Sequence, residues 1–274
     1  MGEPPDLREA HRRQLTLLDE CLAAVAAHSA VIERTGAVTI TTTSNARALA
    51  IAGTIAYLFE ISKSCAVLIR ARKLAAAFAL SRTVLLCVAD LIGLQRDPAH
   101  ALHMDATRIS EWQRLFRLHE QWPNPLLAEA RIDPVVEGQD LSEQLAETSA
   151  AGGSAQHDAE RLKRADMHDA RGSVYWLWSL FAHANLGGIW NVHAYDDAAG
   201  NRCFRFHAQP DPIDIATVTD SLVGMLLQAA FVAFELSRIP TEQLIVLRTE
   251  LAALRRLIGF HEELVFNPPP NAAP

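Results

Sequence analysis

Cysteine, glycine, proline and aromatic residues are all scarce in this chain. Its 274 residues include 4 Cys, 13 Gly and 13 Pro, and 7% are aromatic. The cysteines (Cys21, Cys65, Cys87, Cys203) are scattered without a C-x-x-C pair. That excludes a disulfide scaffold and points to reduced, buried thiols. So little Gly and Pro excludes collagen-like and low-complexity chains. No Walker loop, G-x-G-x-x-G, H-E-x-x-H or G-x-S-x-G occurs, which argues against the common NTPases, Rossmann enzymes, zincins and hydrolases. No cofactor is expected. A net charge of −7 and a pI near 5.9 argue against a DNA-coating protein. The N-terminal MGEPPDLREAHRRQ is polar and mixed in charge, unlike a secretory signal.

Long uncharged runs are also few. Residues 173–195 lack Asp, Glu, Lys and Arg, but two His, two Asn and a Gly-Gly pair interrupt them. Residues 221–234 are uncharged for only 14 positions, short of the roughly 20 that a spanning helix needs. Both read as buried core helices, so a cytoplasmic protein without a membrane partner is expected.

What the chain has in quantity is Ala (45) and Leu (35), a helix-forming mixture with ample material for a core. Residues 6–34 carry Leu15, Leu18, Leu22 and Val25 at helical spacing. Gly36 and the β-branched run Val38–Thr43 read as a connector, with Ser44 or Asn45 capping an almost wholly apolar helix towards Arg72. A further apolar helix runs from Leu74 to Leu94. Three Asp-Pro pairs, at 97–98, 133–134 and 211–212, each mark a helix start, because Asp accepts from free N–H groups and Pro suits the first turn. Trp122-Pro123-Asn124-Pro125 breaks a helix. Residues 148–156 read as small and flexible, and 129–171 as an exposed acidic insertion. An apolar helix is expected over 173–192, and the turn-rich HAYDDAAGNRCFRFHA is compatible with one short hairpin near 193–208. Leu244, Leu247, Leu251, Leu254 and Ile258 form a seam that packs on the bundle or on a second copy, making 244–258 the candidate homodimer face. The expectation is an all-α protein: one bundle of about seven to eight helices over 1–266, with 267–274 a disordered tail.

One polar constellation stands out. Tyr175, Ser179 and His183 lie four residues apart, so their tips share one helix face, and Gly187 continues the series. Trp176, Leu177, Leu180 and Phe181 on the other positions read as core. Arg82 is alone in the apolar run FALSRTVLLCVA, with no acid between Ile61 and Ala89 to receive it. Polar groups in such helices need partners, since an unpaired buried one costs about 1–3 kcal/mol. Arg82, Tyr175, Ser179 and His183 are therefore either a hydrogen-bond network fixing the bundle's register or an anion site. In the site, Arg82 would clamp a phosphate and His183 would move a proton. Ser179 and His183 could also touch as a nucleophile pair, although no carboxylate is evident to orient His183.

The stretches RARKLAAAFALSRTVLLCVADLIGL (70–94) and YWLWSLFAHANLGG (175–188) resemble a group of all-helical bacterial proteins. That group carries a domain of unknown function and is loosely similar to HEPN bundles. The resemblance implies a helical bundle and directs attention to Arg82, Tyr175, Ser179 and His183. It implies no reaction, and Leu85 and Leu86 stand where the group shows a Glu. HEPN nucleases place His a few residues after Arg, and six pairs here fit: Arg96/His103, Arg114/His119, Arg161/His168, Arg202/His207, Arg255/His261 and Arg256/His261. Composition alone predicts about three such pairs by chance, so none is singled out.

Lys63, Arg70, Arg72, Lys73 and Arg82 make 63–82 a basic window, which keeps RNA among the partner classes, although no aromatic residues are interleaved to stack bases. His100 and His103 with nearby Asp105 have metal-like spacing, but further ligands are not identifiable and no metal centre is expected. The functional expectation is a cytosolic protein acting by binding or assembly around the Arg82/Tyr175/Ser179/His183 centre. The competing one is a HEPN-like, RNA-directed nuclease or toxin-type effector.

Overall fold

The repeating leucines of the first segment form α1 (Leu7–Thr35), and the two apolar runs after it form α2 (Ala46–Arg70) and α3 (Leu74–Arg96). The computed structural model describes residues 7–35, 46–123, 125–130, 132–183, 188, 193–204, 210–236 and 240–260. Between α2 and α3 the chain turns through Arg72, whose φ of 59° is left-handed and breaks the helical run. Then come α4 (His100–Gln121), α5 (Pro125–Glu129), α6 (Pro134–Ala150), α7 (Asp158–Arg164) and α8 (His168–Ala170). A π-helical turn, Arg171–Tyr175, leads into α9 (Trp176–Ala182). After the hairpin β1 (Ala194–Asp196) and β2 (Arg202–Phe204) come α10 (Pro212–Leu236) and α11 (Glu242–Ile258). The chain is thus the all-α bundle that its composition predicts. Seven helices among the described residues have 17 residues or more.

Two of the three Asp-Pro pairs act as read, with helices opening at Pro134 and Pro212, whereas α4 begins at His100 with Ala99 as its cap, after a turn that holds Asp97 and Pro98. Asp133 accepts from the N–H groups of Val135 (2.9 Å) and Val136 (3.4 Å), Asp211 from Ile213 (2.9 Å) and Asp97 from Ala99 (2.8 Å). In the hairpin, Ala194, Tyr195 and Asp196 face Phe204, Cys203 and Arg202. Asp197 closes the turn by accepting from the N–H of Ala199 (2.9 Å) and Asn201 (2.8 Å).

Helix α3 is the centre: it packs against α2, α4, α7, α9 and α10. Leu85, Val88, Ala89 and Leu91 have no exposed surface. On the far side, α10 and α1 close the main core. The seam of α11 is spent there too: Leu244, Leu247, Leu251, Leu254 and Ile258 are all buried within the chain, and α11 packs on α1 and α10. The leucines that suggested a homodimer face at 244–258 are therefore occupied internally. Arg255 lies among them, 1% exposed, and Asp220 of α10 accepts from its Nε (2.9 Å) and Nη2 (2.8 Å). Three helical stretches, Arg47–Arg70, Leu74–Arg96 and Pro212–Leu236, are long and apolar enough to cross a membrane by length and composition. In the fold, 39%, 67% and 83% of their apolar windows are buried.

Several expectations change. The segment 129–171 is exposed along α6, where only Leu141 and Thr148 are buried, but it also feeds both cores. Leu141 joins Leu127 of α5 and Ile109 and Phe116 of α4 in a second small core, and Leu162, Ala165, Met167 and Ala170 enter the main one. The acidic residues mask this in the sequence because they occupy the outer face of α6. Residues 148–156 are pinned rather than loose: the Ser154 N–H donates to His103 Nδ1 (3.0 Å) and the Gln156 N–H to the Thr107 hydroxyl (2.9 Å). A Cβ on Gly153 would meet backbone oxygens of Leu102 and Thr148 within 2.9 Å, so the loop lies flat on α4. The helix expected over 173–192 ends at Ala182 with His183 as its cap, and Trp176 is 61% exposed instead of core. Trp178 fills the core in its place. The connector 36–45, Gly187 and the tail 267–274 lie outside the described residues.

Candidate functional site

Arg82 lies one-fifth exposed on α3, and its acceptor is Asp158, the first residue of α7, 76 positions along the chain. Arg82 Nη2 donates to Asp158 Oδ2 (2.6 Å) and to the Tyr175 hydroxyl (3.0 Å). That hydroxyl in turn donates to Asp158 Oδ2 (2.8 Å), and the guanidinium sits 5.1 Å from the tyrosine ring centre. The π-helical turn brings Tyr175 to this position at the head of α9. The Arg82–Tyr175 half of the sequence constellation is therefore assembled.

The other half is not. The Ser179 hydroxyl donates back to its own helix at the Tyr175 carbonyl (2.7 Å). His183 is exposed on the turn that ends α9, with its N–H donated to the Ser179 carbonyl (3.1 Å). Helix α9 stops before a fourth-residue repeat can carry His183 inward. The arrangement provides no Ser-His pair, and an Arg82 held between Asp158 and Tyr175 is not free to clamp a phosphate.

The network extends along α7 to a residue pair that the sequence reading did not place. Arg161, one turn after Asp158, donates from Nη1 to Asp158 Oδ1 (3.3 Å). Its Nε donates to Asp90 Oδ1 (3.0 Å), while Nη2 bonds Asp90 Oδ2 and the Leu86 carbonyl. His100, 1% exposed at the start of α4, completes the set with Nε2 3.3 Å from Asp90 Oδ1. Gly93 makes room for that ring: a Cβ there would lie 2.5 Å from it. Burial pushes the Asp90 carboxyl up, but hydrogen bonds from His100 and Arg161, and their charge, more than offset it and hold it below the usual range. Burial likewise opposes the Arg161 charge, and Asp90 with Asp158 reverses the effect, holding Arg161 above its ordinary value.

A cleft of about 320 Å³ opens beside this pair. Helix α3 lines it with Thr83, Leu86, Cys87 and Asp90, a stripe at i, i+3, i+4 and i+7. Opposite stand Gly53, Thr54 and Tyr57 of α2, with Met104 of α4 and Arg161 of α7 at the ends. Tyr57 is half exposed at its edge. Burial pushes the Cys87 thiol up to about 12, so it stays protonated at neutral pH.

Asp90 and Arg161 left one signal in the sequence. Asp90 is the lone acid of an apolar run and falls eight residues after Arg82, on the same helix face, one position beyond the acid-free window. Arg161 attracted notice only as half of an Arg/His pair. In the structure it is bound by Asp90 and Asp158, while its partner His168 is 61% exposed beside Asp166. Of the other pairs, His103 is turned to Ser154 and Arg255 to Asp220. Arg96 and Arg114 are exposed, and His207 and His261 lie outside the described residues. His100 and His103 face different partners, and no group of three metal-ligating side chains occurs among the described residues. The basic window divides: Lys63, Arg70, Arg72 and Lys73 are exposed at the α2–α3 corner, whereas Arg82 turns inward.

No family model, curated protein or solved structure matches the chain.

Proposed function

We propose that this chain is a cytoplasmic binding protein whose polar centre braces a small-molecule cleft. One observation carries the reading: beside an open cleft each charged group at the centre is paired with one of opposite sign, although Arg82 Nε and His100 Nδ1 are buried without a hydrogen-bond partner among the described residues. Asp158 receives Arg82, Tyr175 and Arg161, and Asp90 receives Arg161 and His100. A carboxylate held ionised by two donors is a poor general base, and a thiol near 12 is a poor nucleophile. What remains is a shaped, mainly apolar cavity with a few oriented polar groups, the usual form of a ligand site. The family resemblance, with a bundle and an Arg-bearing helix but no reaction, agrees with this.

Cytoplasmic placement rests on the burial of α3 and α10 and on the charges they carry inside, Arg82, Asp90 and Asp220, each paired within the chain. The competing nuclease reading gains no observation, since Arg161, the only Arg of the six Arg/His pairs that lines the cleft, is held by two carboxylates. Bulk RNA incubated with wild type and with Arg161→Ala tests it. Intact RNA in both is expected. Cleavage by wild type and not by the variant would replace binding with catalysis.

A further inference from the structure

We infer that the cleft between α2, α3, α4 and α7 takes an uncharged aromatic molecule bearing one or two hydroxyl or carbonyl oxygens. The inference rests on the binding reading above and names its ligand class. Among the described residues Asp90 and Arg161 are the only charged side chains that line the cleft, and they are paired at 3.0 Å. Each is also anchored outward, Arg161 to Asp158 and Asp90 to His100. An anion entering the cleft meets Asp90 and an Arg161 whose charge two carboxylates already balance, and a cation meets Arg161 and an Asp90 already paired with Arg161 and His100. Bringing either in costs desolvation that nothing there returns.

The walls argue for a ring. Tyr57 offers an exposed aromatic face, and Leu86 with the polarisable Met104 offers apolar surface and a thioether that suits ring edges. At about 320 Å³ the space is at the small end of ligand pockets, which run from roughly 300 to 1,000 Å³. The polar atoms argue for oxygen. Four of the five N–H directions of Arg161 are taken by Asp90, Asp158 and Leu86, leaving one donor. The hydroxyls of Thr54 and Thr83, which have no protein partner among the described residues, give or take one hydrogen bond each.

Gly53 supplies the control. It sits on α2 at the cleft wall, and a Cβ there meets nothing within 4 Å. Gly53→Leu therefore sets a bulky side chain on the cleft wall, without a clash at its Cβ, while replacing a poor helix former by a good one. The experiment is calorimetric titration of wild type, Gly53→Leu and Thr83→Val at neutral pH with 2-naphthol, 2-naphthoate and 2-naphthylmethylammonium. Circular dichroism and the melting temperature confirm that each variant folds. The expected result is that 2-naphthol binds wild type at least about tenfold tighter than either charged probe. Gly53→Leu should abolish this binding, and Thr83→Val should weaken it by about three- to tenfold. A charged probe that binds as tightly, and is lost in Gly53→Leu, overturns the ligand class and leaves the binding reading standing. No binding by any probe, or binding indifferent to a folded Gly53→Leu, overturns the cleft as a site and the binding reading with it.

Discussion

Asp158 accepts from two arginines and a tyrosine at once, and this triple use explains why the centre could be only half read from the sequence. Arg82 and Tyr175 were legible because a guanidinium in an apolar run and a hydroxyl on an apolar helix both demand partners. Their acceptor was not, because it stands among other acids in a segment whose composition reads as solvated surface. His183 misled for the opposite reason: four-residue spacing places it on the Tyr175 face only if the helix continues, and the helix stops there. His103 carries a titration prediction. Burial foremost, helped by the charges of Arg164 and His100, outweighs the bond to the Ser154 backbone and lowers its pKa below the ordinary 6.5; in the neutral ring Nδ1 accepts from the Ser154 N–H. Burial lowers His11 in the same direction. In the unfolded chain these rings protonate near pH 6.5, whereas the native rings resist. Unfolding therefore takes up protons, and stability present above about pH 6.5 is lost as the pH falls below it. The melting temperature should drop between about pH 7.5 and 5.5, with a smaller drop in His103→Gln. A melting temperature that holds or rises over that range would contradict the assignment.

Among the elements, α2 and α3 carry two glycines with opposite roles. Gly53 faces open space, so Gly53→Ala should stabilise the protein by up to about 1 kcal/mol through helix propensity alone. Gly93 faces the His100 ring, which is 1% exposed, so a methyl there must displace a buried side chain and Gly93→Ala should cost about 1–3 kcal/mol. Urea denaturation of the two variants checks both signs, and equal effects would show that the His100 packing is misplaced. Helix boundaries were largely legible where local chemistry sets them: two of the three Asp-Pro caps, the Asp197 turn of the hairpin and the break before Pro125. Partners between elements were less so. The leucine seam of α11 was visible as a seam, but only the fold shows that α1 and α10 consume it. The small residues of 148–156 looked loose because smallness serves equally for flexibility and, at Gly153, for close packing on α4.

At the scale of the whole molecule, one apolar helix at the centre carries both an arginine and an aspartate, and α7 answers each with the opposite charge. The segment that looked like an insertion thus locks α3 to α9 and walls the cleft. Three helices are apolar enough for a bilayer by length and composition, and the fold buries them unequally, α10 most completely and α2 for only 39% of its apolar window. After lysis and high-speed centrifugation the protein should remain in the supernatant without detergent, and recovery only from detergent-treated membranes would contradict cytoplasmic placement. The central claim is that the polar centre is an internal brace for the cleft rather than reacting machinery. A double-mutant cycle on Arg82→Ala and Asp158→Ala, read by equilibrium unfolding with His183→Ala alongside, tests it most directly. The pair is about a quarter exposed, so each single change should cost about 1–3 kcal/mol. The two should couple by at least about 1 kcal/mol, while His183→Ala stays within about 0.5 kcal/mol of wild type. Additive effects for Arg82 and Asp158, or a loss at His183 equal to theirs, would contradict the account.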